Sequence, residues 1–195
     1  MSRGGQKRKL AKTGLLRLPP AEDEESVNIA LVLLLQNLSD LVAQVDLEWV
    51  PNRHHFSVIF GTVMNTITDG ILRSRKDGQG IFCLLEAKKM MRRDNDVNVK
   101  MQETAEIVGW IRSSPDKLET FRGRRFVISQ NRHQIFIIAA TYDDEYVRYL
   151  EGASSGPKSF LEEQSYGPYD TADLSDLKMF ARAVVVITMA ANATI

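Results

Sequence analysis

One cysteine in 195 residues, Cys83, leaves no partner for a disulfide, and its place inside an apolar run gives it no visible base to make it a nucleophile. A reducing interior compartment follows, nuclear or cytoplasmic. Excess charge of either sign is also missing, because Lys and Arg total 25 and Asp and Glu total 25. No global positive field therefore draws the chain to nucleic acid, which argues against a DNA-coating protein but leaves room for an enzyme with a local basic groove. Long hydrophobic runs are lacking too. Ile29 to Leu35 is seven apolar residues, far short of the ~20 of a membrane span. Leu15-Leu16-Arg17-Leu18 is too short and interrupted for a secretory signal. Nothing repeats internally.

Histidine is scarce at three residues. His54 and His55 are adjacent in an extended stretch and so point to opposite faces, which defeats joint metal binding. His133 sits in an expected turn, where a solvated role outweighs that of a general base. Ser129 has no histidine at a diagnostic spacing. Trp49 and Trp110 read as core rather than as base-stacking platforms.

What is present is a local arrangement of charge. Residues 3–17 carry six basic residues and no acid, and Glu22-Asp23-Glu24-Glu25 follows Pro19-Pro20. Residues 1–22 therefore read as a disordered basic arm, with Lys7-Arg8-Lys9 a short nuclear-import candidate, and residues 23–195 as one domain. Its apolar end, Ala190 to Ile195, suggests a domain cut short. A helix is expected from Ser26 as N-cap to just before Pro51, on the stripe Val27, Leu31, Leu34, Leu38, Leu41 and Val45. Strands are expected over 56–63, 64–71, 81–88, 124–129 and 134–141. The segment holding Asp69 should pair antiparallel with 81–88. Helices are expected over about 97–112, with Val97, Met101, Ala105, Val108 and Ile111 buried, over 143–150 and over 173–190. This order predicts one α/β domain with a mixed β-sheet flanked by helices.

The chemistry concentrates at one strand exit. Asp69 precedes Glu86-Ala87-Lys88 by sixteen intervening residues, and the triplet closes the run Gly80 to Leu85. On a strand Glu86 and Lys88 share a face while Ala87 points away. Two carboxylates and a lysine at a sheet edge suit Mg2+-dependent phosphodiester cleavage: the acids hold a hard cation, and the amine steadies charge on phosphate or places water. A second triplet of the same form, Asp176-Leu177-Lys178, lies in helical spacing, so its acid and lysine would not line up. The bland alternative for Lys88, Lys89, Arg92 and Arg93 is a solvated strand end. Arg122, Arg124, Arg125 and Arg132 surround one hairpin and are candidate phosphate contacts, or a solvated hairpin.

Asp69, then Glu86-Ala87-Lys88, then a helix carrying Gln102, resembles the motif order of the PD-(D/E)XK nuclease superfamily, and in particular a large group of uncharacterised fungal proteins with such a domain. Matching stretches are 49–56, 101–111, 123–132 and 166–170, within a span of roughly residues 25 to 190. The resemblance implies a restriction-endonuclease-like fold and a nuclease acting on DNA or RNA. Asp69, Glu86 and the Ala87 carbonyl would ligate Mg2+ or Mn2+, and Lys88 would orient water or stabilise the phosphate. Gln102 would help place substrate or Lys88. A first-helix glutamate is common in the family, and Glu25 is the candidate, ahead of Asp40 and Glu48. Helical projection puts Gln102 and Glu106 together at the site rim, or on a plain polar face. Thr68 stands where the family usually has proline before the aspartate. Nucleic acid is the implied partner, and a homodimer fits the habits of the family. A non-catalytic binding module on the same scaffold is the competing expectation.

Overall fold

The structure, a computed structural model, describes residues 23–60, 62–114, 121–153, 156 and 159–195. The basic arm expected over 1–22 lies outside them. Helix α1 (Glu24–Ser39) is capped three residues before the expected cap, by Asp23, whose carboxylate accepts from Ser26 N at 2.6 Å. It also ends well before Pro51. Leu47 and Trp49 are buried alternately with half-buried Glu48 and Val50, the period of a strand, and they form β1 (Leu47–Val50). The Glu48 carboxylate accepts from Arg73 Nε at 2.9 Å across the pairing with β4 (Gly70–Ser74).

Strands β2 (His55–Phe60) and β3 (Thr62–Ile67) make a separate antiparallel hairpin. Its inner face, Phe56 and Val58, is buried, while Ile59, Val63 and Ile67 are exposed. The expected continuous strand through 71 breaks at Thr68-Asp69, so that Asp69 lies at the junction between the hairpin and β4. Thr68 N donates to His54 O at 3.1 Å, and Asp69 N to Leu85 O at 3.0 Å. Gly70 is required there, since a Cβ would stand 2.6 Å from the Val50 carbonyl oxygen.

Strand β5 (Cys83–Lys88) pairs antiparallel with β4, as expected, and parallel with β6 (Arg124–Asn131). Strand β7 (Gln134–Thr141) follows, and β8 (Glu162–Asp170), absent from the sequence expectation, forms the far edge. The six-stranded order is β1-β4-β5-β6-β7-β8. Helices α1 and α4 (Leu174–Asn192) cover one face through Leu31, Leu35, Phe180 and Val184 on Leu72, Leu85 and Ile128. Helices α2 (Arg92–Ser113) and α3 (Asp144–Leu150) cover the other, where Ile107, Trp110 and Tyr146 meet Leu84, Val127 and Ile138. The described residues are thus α/β, a mixed sheet and a hairpin flanked by four helices. Among the described residues no helix is long and apolar enough to cross a membrane.

Helix α2 departs most from the sequence reading. Val97 and Met101, expected in its buried stripe, are 69% and 66% exposed, while Glu103 and Glu106 are buried. Arg92, read as a solvated charge, is buried with them. Its guanidinium meets both Glu103 carboxylate oxygens, donates from Nε to Asn131 Oδ1 at 2.9 Å, and stacks 4.2 Å from the Phe136 ring centroid. The helix turns its carboxylates inward because a cation awaits one of them and the strand exit the other.

Candidate metal centre

Strand β5 leaves the core at Glu86-Ala87-Lys88, and three neighbours converge on that exit. The turn before β4 brings Asp69, whose Oδ2 accepts from Ala87 N at 2.9 Å. Helix α1 brings Asn28, whose Nδ2 donates to the Asp69 carbonyl at 3.0 Å and fixes that turn. It also brings Glu24, whose Oε1 lies 3.3 Å from Lys88 Nζ. Helix α2 brings Gln102, whose Nε2 donates to Glu86 Oε1 at 2.6 Å and to Glu106 Oε1 at 3.0 Å. The Lys88 ammonium is in direct contact with Glu86 Oε1.

Charge in this cluster is poorly balanced. Glu86 and Glu106 are both wholly buried; the Oε2 atom of each takes no N–H donor, and the Glu106 carboxyl hydrogen-bonds to that of Glu86 when it carries its proton. Burial, then the negative charge of Asp69, raises the Glu86 carboxyl to about 7, with Lys88 opposing in part. Burial, then Glu86, raises Glu106 well above the ordinary carboxylate range. Burial works against the Lys88 ammonium, but Glu86, Asp69 and Glu24 outweigh it and hold the amine above its ordinary value. Perturbation of this kind, with named charge partners, marks sites where charge is meant to be met by something else. Buried acceptors without N–H donors are costly in a purely structural role. An all-oxygen donor set from Asp69, Glu86 and the Ala87 carbonyl is of the sort a hard divalent cation takes. Among the described residues no group of three or more His, Cys, Asp or Glu side chains is placed to hold a metal ion, so the side-chain ligands here are at most the two carboxylates of Asp69 and Glu86.

Asp69, Glu86, Ala87, Lys88 and Gln102 therefore come together. Glu25 does not: it is exposed, and Glu24, one residue earlier, takes the helix-borne position beside Lys88. The signal in the sequence was Asn28, a polar residue inside the apolar stripe and one helical turn from Glu24. The arginines separate as well. Arg125 is 1% exposed, its guanidinium 4.3 Å from the Trp110 ring centroid with Nε donating to Tyr142 Oη at 3.0 Å, so it is a core residue and not a phosphate contact. Arg124 is exposed but stands at the opposite end of β6 from the site. Arg132 alone of these lies at the site end, its backbone N donating to the Lys88 carbonyl at 2.7 Å. Comparisons with protein families, curated proteins and solved structures found no match to this chain, so its chemistry has to be read from the side chains themselves.

Proposed function

We propose that the chain is a metal-dependent nuclease of restriction-endonuclease-like fold, hydrolysing phosphodiester bonds in nucleic acid. The observation that carries this reading is the meeting of Asp69, Glu86 and Lys88 at one strand exit, where Glu86 is wholly buried. Asp69, Glu86 and the Ala87 carbonyl would hold Mg2+ or Mn2+, which when bound supplies Lewis-acid polarisation of phosphate and a more acidic water. The protein's own part is placement. Water attacks phosphorus in line as the opposite bridging P–O bond breaks, and the Lys88 ammonium faces the charge that develops on the phosphate oxygens. Glu24 and Glu86 hold that amine in place, and Gln102 fixes the orientation of Glu86. The test is cleavage of labelled DNA and RNA, single-stranded and duplex, with Mg2+ or Mn2+. Asp69→Ala and Lys88→Ala should each lose about 10²–10³-fold in rate; equal residual cleavage in all three proteins would remove the assignment.

A second reading is supported by Lys88 itself. Its charge is already met by two carboxylates, which suits a nuclease-like scaffold kept as a non-catalytic module that binds nucleic acid or protein. Calorimetric titration with Mn2+ separates the two, since the module would give no binding heat that depends on Glu86.

A further inference from the structure

We propose that the outer face of helices α1 and α4 docks a second copy of this chain, in an isologous dimer. The inference does not depend on the nuclease reading. The two helices cover one face of the sheet, with Leu31, Leu35, Phe180 and Val184 pointing inward and Ser39 Oγ meeting Thr188 Oγ1 at 2.9 Å. A helix packed on one side should turn polar residues to water on the other, and here apolar ones recur instead. On α1, Ile29 is 47% and Leu33 58% exposed, and Leu41, just past its end, is 74% exposed. On α4, Met179, Val186 and Met189 are 48%, 63% and 56% exposed, at the spacing of one helical stripe. Single apolar side chains are ordinary on a surface, but six on one two-helix layer mark an interaction face. Together they approach the ~800 Å² that each partner of a standard interface buries.

Charge selects the occupant. Helix α1 carries Glu24 and Glu25, ends at Asp40 and holds no basic residue. Glu25 is exposed and makes no ion pair among the described residues. On α4 the exposed charges are Lys178 and Arg182, likewise without an ion pair among the described residues. The one acid of α4, Asp176, is engaged by the Asp170 backbone N at 3.0 Å. An acidic stripe beside a basic one complements itself after a two-fold rotation that lays α1 of each copy over α4 of the other. A second copy supplies both signs and both apolar stripes at once.

Sedimentation velocity of the full chain over a concentration series tests this. The wild type should sediment as a dimer in concentration-dependent exchange with monomer. Leu33→Glu on α1 and Val186→Glu on α4 should each raise the dissociation constant about a hundredfold or more, because an isologous contact loses each residue twice. Both positions are exposed in the single chain, so circular dichroism should be unchanged. Should either variant not fold, the joint change Lys178→Glu and Arg182→Glu decides: it should weaken the dimer about tenfold at low salt and less at high salt. Ile59→Glu, on the exposed face of the β2–β3 hairpin, should leave the dimer intact. A wild type that stays monomeric at every concentration overturns the proposal and leaves the face to another protein or to residues outside those described. A dimer that Ile59→Glu dissociates, or that the α1 and α4 variants leave unchanged, overturns it as well.

Discussion

At the scale of single residues the site is built at the expense of stability. Glu86 is raised from 4.5 to about 7, chiefly by burial. A carboxyl with a raised folded value binds its proton more tightly in the native chain than in the unfolded one. Its favourable contribution is therefore present below about 4.5 and is lost as pH climbs through about 7. With chelator present, the melting temperature should fall steadily from pH 5 to 7.5. Glu86→Gln, which keeps the shape and removes the charge, should flatten that slope and melt several degrees higher at pH 7.5, since ~1 kcal/mol moves a chain of this size by ~2–4 °C. Differential scanning calorimetry reads both, and a variant that melts lower than wild type at pH 7.5 would contradict the account. Saturating Mn2+ should restore wild-type stability selectively, by ~2.7 kcal/mol at a hundred times its dissociation constant. The helix-borne acid gives a second residue-level contrast. Glu24→Ala should lower cleavage about tenfold while Glu25→Ala leaves it unchanged, because only Glu24 touches Lys88.

At the scale of elements, local pattern was readable wherever one face of an element meets one uniform surface. β5, β6 and β7 obey this, and Asp69, Glu86, Ala87, Lys88 and Gln102 were identifiable from spacing and motif order because strand exit and helix fix them. α1 was over-extended because the stripe through Leu41 and Val45 continues past its end, although Leu41 is 74% exposed and the chain has already turned. β8 was hidden because seven of its nine residues are exposed, so it lacks the alternation that marks a half-buried strand. α2 was rotated in expectation because its inward face is polar at one end: Arg92 and Glu103 satisfy each other inside the fold, and no local apolar period announces that. The same pair makes an element-level test. Arg92→Ala would strand a buried Glu103 carboxylate, and urea unfolding should show a loss of ~3–5 kcal/mol. Simultaneous Arg92→Met and Glu103→Met should recover most of it. A single variant within 1 kcal/mol of wild type, on the order of a surface pair, would show that the network does not anchor α2. Gly109→Ala tests the other side of the helix, where a Cβ would lie 2.6 Å from Phe56 Cβ; overpacking there should cost ~1–3 kcal/mol and loosen the β2–β3 hairpin.

For the whole molecule, balanced charge limits how a polyanion can be held. With 25 basic and 25 acidic residues there is no excess positive charge overall to draw a duplex. Among the described residues the basic side chains near the site are few: Lys88 closes β5, Lys89 follows it, Arg93 is the second residue of α2, and Arg132 is tied through its backbone to Lys88. The acidic end of α1, with Asp23, Glu24 and Glu25, flanks the opposite side of the same exit. A phosphate backbone would therefore be favoured over the β5–α2 and β6–β7 turns and repelled from α1. The described residues at the site would neutralise about four phosphates, and each contributes ~0.9 to the slope of log K against log salt for duplex DNA. In binding measured by fluorescence anisotropy across a KCl series, these site residues should contribute about −4 to the slope. Joint replacement of Lys89 and Arg93 by Gln should reduce it by about two, while Arg124→Gln, at the far end of β6, should leave it unchanged. A slope sensitive to Arg124, or one that the loss of Lys89 and Arg93 leaves unchanged, would move the nucleic-acid surface away from the carboxylate site and with it the reason for placing hydrolysis there.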